Sequence, residues 1–483
     1  MIFAITIVAM LLLGMAVAEK YKVNIGDGIA VSGGILILLL YVLAFFRGMK
    51  FIGTISIVFI AAALALSLPG KKKNGEVGRI LYAKYLTDLS FIMFVISVAF
   101  VSVMTGFEVF SWWDDINFWS SDAKQLFYLN GFPSKYGNVS PEFGDYPPVT
   151  SIFKWFFLQI HAKSYYESLQ FAGYFTLNMV FLMPLAGKFW EWINDGLELK
   201  SFKRNIAFVI CFLAIALFPG VFNGIIYYGT PADITMGIVY GMLLLAITEK
   251  DTESEFFYFF RITLYSSVLF LTKSVGIEWA VFAFVFYLIY GKRSWKILVS
   301  AILSGGFYGS WLLFCFVNRR VAKLTGAGLK MATSGTYTAP QNTLEKAGYF
   351  IQGFLTMPMH ADSNITFDIS TGAAVLCLAI FLFALRKSGA LSRDKSRRLA
   401  IFLLVSGALC YGIIFLAHIS IFQTEDQYLD AYAMAVSIAR YACPFVLGGF
   451  YLLMGIFCNN CGAVPVKTRK ILGVAFISFI LAK

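Results

Sequence analysis

Long apolar runs alternate with short polar connections along nearly the whole chain. Runs near the roughly 17–25 residues that a membrane-crossing helix needs, some a little shorter, fall at 2–18, 28–46, 51–68, 87–107, 168–187, 205–220, 231–248, 257–272, 276–290, 296–316, 371–385, 399–418, 438–457 and 470–483. The pattern predicts an all-α polytopic membrane protein of about fourteen transmembrane helices, a single integral membrane domain over 1–483. The runs at 257–272 and 276–290 are parted only by Lys273-Ser-Val-Gly276, a tight polar hinge at one face. No fixed-period repeat and no inverted duplication is visible, which speaks against a solenoid and against the duplicated halves common in transporters.

Two polar segments break the alternation, at 108–167 and 317–370. Lys and Arg gather on the cytoplasmic side of membrane proteins. The connections at 19–27, 69–86, 188–204, 249–256, 291–296, 386–398 and 458–470 hold well over half of the 39 basic residues. That assigns them to the cytoplasm and makes the two long segments the first and second extracytoplasmic loops. Segment 249–256 is locally acidic, a dissent the rule tolerates because acids contribute little to it. The first run lacks a basic lead and is read as an uncleaved helix with its N-terminus outside.

Short interfacial helices are expected in the first loop. Phe118 to Leu129 offers Trp119, Leu126 and Phe127 to one side, with Asp122, Lys124 and Gln125 mostly elsewhere, as in a helix lying flat on the membrane. Gly131-Phe-Pro133 ends it. Pro147 and Pro148 forbid helix up to that point, so the aromatic run Ile152 to Ile160 begins a second surface helix. In the second loop, Leu324 to Gln341 is rich in Gly, Ser and Thr and resembles a mobile lid more than a folded module.

Composition sharpens the class. Hydrophobic residues make up 59% and charged residues 14%, with a mean hydropathy of +0.75, which excludes an ordinary soluble domain. The net charge of +12 is scattered between apolar runs, so it reads as membrane topology and not as a nucleic-acid surface. The cysteines lie in or beside apolar runs as small buried hydrophobes, apart from the pair in Cys458-Asn-Asn-Cys461, which no second pair or nearby His completes as a zinc site. His161, His360 and His418 each stand alone in sequence, and no P-loop, HExxH or GxSxG motif is present.

The chemistry-bearing residues crowd the outer side. Asp114 and Asp115 follow the run Leu89 to Phe107, framed by Trp112, Trp113 and Trp119; in an extended segment they point to opposite sides. A carboxylate there can accept a proton from an acceptor hydroxyl or hold a divalent cation, Mg or Mn, against a phosphate. Asp145-Tyr146-Pro147-Pro148 adds an acid and an aromatic on a rigid turn. Asp233, entering an apolar helix after Tyr227-Tyr228-Gly229-Thr230-Pro231, calls for a partner or an aqueous cavity. Lys273 and Arg440, with Tyr441 beside it, fall on the same face and suit a phosphate-bearing ligand, Arg as a bidentate fork and Lys as a point charge.

Taken in order, Trp113-Asp114-Asp115-Ile-Asn-Phe-Trp119, Asp145-Tyr-Pro-Pro148-Val-Thr150, Leu271-Thr-Lys273-Ser-Val-Gly276 and Ala439-Arg440-Tyr441 resemble the motifs of bacterial polytopic glycosyltransferases of the GT-C class. Asp115 stands where that pattern has Glu, Phe118 where it has His, Val149 for Gly and Ser274 for Asn, and three spans precede the helix that leads into the loop. The resemblance implies transfer of a sugar from a polyprenyl-phosphate donor to a lipid or glycan acceptor at the outer face of the cytoplasmic membrane. Asp114 or Asp115 would serve as base or metal ligand, and Lys273 and Arg440 would hold the lipid phosphate. A lipid-linked saccharide exporter would share the all-helical, basic-inside pattern but would line a path through the spans with charge. A polysaccharide polymerase or ligase would use a long outer loop without needing paired acids beside a helix end.

Overall fold

The computed structural model describes residues 1–67, 83–134, 144–197, 199–221, 229–250, 254–291, 293–320, 323–335, 339–359, 369–424 and 426–460. The elements are helices: α1 (Ile2–Tyr21), α2 (Ile25–Phe45), α3 (Ile52–Ser67), α4 (Leu89–Met104), α5 (Ser120–Leu129), α6 (Val149–Leu158), α7 (Ser168–Gly196), α8 (Ser201–Leu217), α9 (Ala232–Thr248), α10 (Glu255–Phe270), α11 (Gly276–Tyr290), α12 (Lys296–Val317), α13 (Lys323–Ser334), α14 (Thr343–Thr356), α15 (Thr371–Lys387), α16 (Arg393–His418) and α17 (Ala433–Asn460). Among the described residues no strand occurs, only an isolated bridge between Pro358 and Ser370.

Eight of these helices are long and apolar enough to cross a membrane, and α4, α9 and α11 are shorter apolar helices. Two further expected runs are helical as α10 and α15 but fall short of that length and apolarity. The run at 470–483 lies outside the described residues. The molecule is thus consistent with an integral membrane protein, with fewer unambiguous spans than the fourteen apolar runs.

Local chemistry sets the helix ends. Asn24 accepts a hydrogen bond from the Asp27 amide at 2.9 Å and opens α2; Ser254, Ser370 and Ser392 cap α10, α15 and α16 in the same way. α1 closes on Lys22 in the left-handed region at φ 58°, with the Val23 amide reaching back to the Ala18 carbonyl at 3.1 Å. At the centre stand α7 and α17, whose spanning windows are each 94% buried. Around them α1, α4, α12 and α16 keep broad apolar faces open, as helices facing lipid do.

Gly26 fixes one contact at the centre. A Cβ there would lie 1.9 Å from the Met183 carbonyl oxygen and 2.8 Å from the Pro184 nitrogen, so α2 meets α7 backbone to backbone beside the proline inside α7.

At the far end of α9 a buried ionic network joins five parts of the chain. Arg261 donates to Asp27 at 2.7 Å and to Glu249 at 2.6 Å. Lys188 pairs with Glu249 as well, and the Asn459 amide donates to Glu249 at 2.7 Å. The apparent dissent of the acidic 249–256 segment therefore has a local reason, since Glu249 is the counter-ion of two buried cations. Residues of three basic connections also lie at this end: Tyr21 stacks on Phe257, Lys296 pairs with Glu255 at 2.5 Å, and Arg398 donates to the Ile289 carbonyl at 3.2 Å.

Candidate functional site

The opposite end of α9 carries the candidate site. The acidic segment arrives as a π-type turn, Asp115–Trp119, running directly into α5. The chain before α5 is helical and not extended, a correction to the sequence reading. The two acids still separate, because successive residues of a helical turn face different directions. Asp115 is fully buried and takes both donors of Thr230, the amide at 3.1 Å on one carboxylate oxygen and the hydroxyl on the other. Asp114 keeps 13% of its side chain exposed and pairs with the guanidinium of Arg440.

Arg440 lies two turns into α17 and reaches Asp233 with its Nε at 3.5 Å. Asp233, in the first turn of α9, gives its other oxygen to the Lys273 ammonium at 2.6 Å. The partner that Asp233 required is therefore a pair of cations, one from the hinge between α10 and α11 and one from α17. Lys273 also stands 5.9 Å from the centre of the Tyr441 ring, and Arg440 lies 5.2 Å over Trp112. The Tyr441 hydroxyl shares a 2.8 Å hydrogen bond with Tyr428.

The wall beside this cluster is aromatic. Trp119 is buried and stacks on Tyr146 at 5.2 Å with 18° between the planes, and Phe118 meets both rings edge-on. Burial pushes the Tyr146 phenol up against the opposing pull of Arg440, with Asp233, Asp145 and Asp114 adding to the rise. Asp145 stands behind this wall, within electrostatic reach of Tyr308 and Cys315 on α12, and its carbonyl accepts the Trp311 indole N–H at 2.8 Å. Of the nine residues singled out, Asp114, Asp233, Lys273, Arg440 and Tyr441 form one cluster, Trp119 and Tyr146 flank it, Asp115 is held just beneath, and Asp145 supports the wall.

The loop is anchored firmly. Asn130 ends α5 in the left-handed region, and Gly131 passes so close to the turn after α2 that a Cβ would lie 2.5 Å from the Ala44 carbonyl oxygen. The Phe132 amide donates to that carbonyl at 3.0 Å, and the Met49 amide to the Asn130 carbonyl at 3.1 Å. Helix α5 exists as expected, but Gln125 is buried and Asp122 half-buried, so it is packed into the protein and does not simply lie on a surface. Helix α6 is buried over its whole length, which corrects the expected surface helix. The expected lid contains helix α13. His360 and Tyr227-Tyr228 lie outside the described residues.

Sequence reasoning missed Lys154. It lies in the middle of α6, fully buried, donating to the Thr230 hydroxyl at 2.5 Å and to the Trp119 carbonyl at 3.1 Å. The signal was available: a lone cation inside Ile152-Phe-Lys-Trp-Phe-Phe must find a partner once buried. Tyr428 was missed as well, its bond to Tyr441 closing the far side of the cluster.

The two acids singled out for a divalent cation are already engaged within the protein. Among the described residues no group of three or more His, Cys, Asp and Glu side chains converges. Asp115 spends both oxygens on Thr230, and Asp114 faces a guanidinium. Comparison of the chain with protein-family models, curated proteins and solved structures finds no match.

Proposed function

We propose that this protein is a membrane glycosyltransferase that moves a sugar from a polyprenyl-phosphate-linked donor to a cell-envelope lipid or polysaccharide acceptor, working at the outer face of the cytoplasmic membrane. One observation carries the reading: acids, cations and aromatics from four separate stretches of an apolar chain, with Asp114 and Arg440 lying 326 residues apart, meet at one end of the helices. A cluster of that kind costs too much in an apolar environment to be kept without a use or a compensating structural role.

In this reading the donor phosphate docks on Arg440 and Lys273. Arg440 is the reachable cation, with 34% of its side chain exposed, and its planar fork matches two phosphate oxygens. A phosphate there competes with Asp114 for the guanidinium and releases the Asp114 carboxylate toward the acceptor. Asp114 then takes the proton of the acceptor hydroxyl, the acceptor oxygen bonds to the anomeric carbon, and the bond from that carbon to the phosphate oxygen breaks with its electron pair leaving on the lipid phosphate. Asp233 holds both cations in place, and Tyr146, backed by the buried Trp119 ring, offers a flat face to a sugar ring. Asp115 is a positioning residue, since its oxygens are already filled.

The test is transfer by purified protein in nanodiscs, using radiolabelled polyprenyl-phosphate sugars and a crude acceptor lipid fraction. Label reaching acceptor with the wild type and not with Asp114→Asn supports the proposal. Absence of transfer from every donor, with donor crossing sealed vesicles, overturns it in favour of an exporter.

A further inference from the structure

We propose that Lys154 is the positioning residue that fixes Asp115, and through it the turn bearing Asp114, against the segment leading into α9. Only the catalytic consequence of this role rests on the transferase reading; the anchor itself does not.

The argument begins with what each group is able to give. An ammonium only donates. Lys154 therefore fills one lone pair of the Thr230 hydroxyl, and the hydroxyl proton is left to point at Asp115. The Thr230 amide donates to the other Asp115 oxygen. Both oxygens of Asp115 thus act as acceptors, and its charge is balanced through one intervening hydroxyl. The second Lys154 bond, to the Trp119 carbonyl, holds the other end of the same π-type turn. The turn is pinned at both ends by one side chain rooted in a wholly buried helix. The lead-in to α9 is pinned independently, its Pro231 carbonyl accepting from the Tyr174 hydroxyl at 2.9 Å.

The charged groups facing this place are Asp115 on the turn, Asp122 on α5, and Arg320 after α12, which acts on Asp122. Burial pushes the Lys154 ammonium down to about 8, against the pull of Asp115 and Asp122. Loss of its proton lets the amine accept as well as donate and frees the Thr230 hydroxyl to turn away from Asp115.

The experiment uses the full chain in nanodiscs and compares Lys154→Met, Thr230→Val and the double variant, with radiolabelled polyprenyl-phosphate sugars as donor. Misplacing the turn by about 1 Å lowers kcat by up to about 100-fold, with the donor KM little changed, and the double variant loses no more than the worse single one. The wild-type alkaline limb near pH 8 disappears in Lys154→Met. Losses that multiply in the double variant, or an unchanged alkaline limb, overturn the role. Thr230→Val is nearly isosteric and keeps the test alive if Lys154→Met does not fold. If the wild type transfers no sugar, the transferase reading fails, and the same cycle is read from thermal unfolding: non-additive Tm losses retain the anchor, additive ones remove it.

Discussion

Replacing Arg261 by Met tests the ionic network at the end remote from the site. The side chains of Arg261, Asp27 and Glu249 are 1%, 2% and 3% exposed, so none has water to fall back on. In the variant Glu249 keeps Lys188 and the Asn459 amide. Asp27 loses its hydrogen-bonded cation. At an effective dielectric constant near 20, unit charges about 4 Å apart attract by about 4 kcal/mol. Mutational experience with a buried pair broken on one side is about 3–5 kcal/mol. We expect a loss of that size in chemical unfolding of the detergent-solubilised protein, monitored by tryptophan fluorescence. Adding Asp27→Asn removes the stranded charge and should recover about 1–2 kcal/mol, the scale of coupling between contacting residues. A loss below about 1 kcal/mol for Arg261→Met, or a double variant no more stable than the single one, would refute the account of the network as buried charges dependent on one another.

Three further outcomes follow from the geometry. Asp114→Asn should abolish transfer with little change in Tm, whereas Asp115→Asn should lower both, because its amide group opposes one Thr230 donor; equal stability of the two variants would contradict the assigned roles. Burial pushes the Asp122 carboxyl up to about 6, against Arg320 and Lys154. Its folded-state pKa is thus above the unfolded one, so the protonated form favours folding. That contribution is complete below about pH 4 and is lost as pH rises through about 6; Asp122→Asn should flatten this part of a Tm-against-pH curve and raise Tm at pH 7–8. Gly26→Ala forces α2 from the α7 backbone and should cost about 1–3 kcal/mol, seen as a lower Tm; an unchanged Tm would mean that the close approach is not required.

Much of this was legible in the chain because the bilayer imposes a simple rule on it. Apolar runs of sufficient length must be helices, and the runs do become helices wherever they are described. Asp233 announced its need of a partner in the same way. What sequence could not supply was which distant residue answers: Lys273 comes from the hinge between α10 and α11 and Arg440 from α17, 40 and 207 residues away, and no local periodicity encodes that choice. The extended reading of Asp114-Asp115 failed because local pattern does not reveal a π-type turn held from outside by Lys154. The surface reading of α6 failed for a related reason: an aromatic run looks the same whether it meets lipid or protein. Asp27 passed unnoticed at the end of the basic connection 19–27 and Arg261 as a single charge in an apolar run, and Glu249 was seen only as part of an acidic stretch.

The remote network also bears on how the chain is made. In order of synthesis its charges alternate: Asp27, Lys188, Glu249, Arg261. Each cation or anion entering the bilayer alone carries a penalty of about 2.5–3.5 kcal/mol if central, and less near a helix end. Because the signs alternate, each charge after the first finds an opposite one already in place, and the unbalanced charge of the growing assembly never exceeds one. A variant that exchanged Lys188 and Glu249 would make two acids arrive first and would also set a lysine against Arg261 in the finished network, so its burden would fall on insertion yield and on the stability of the completed protein alike.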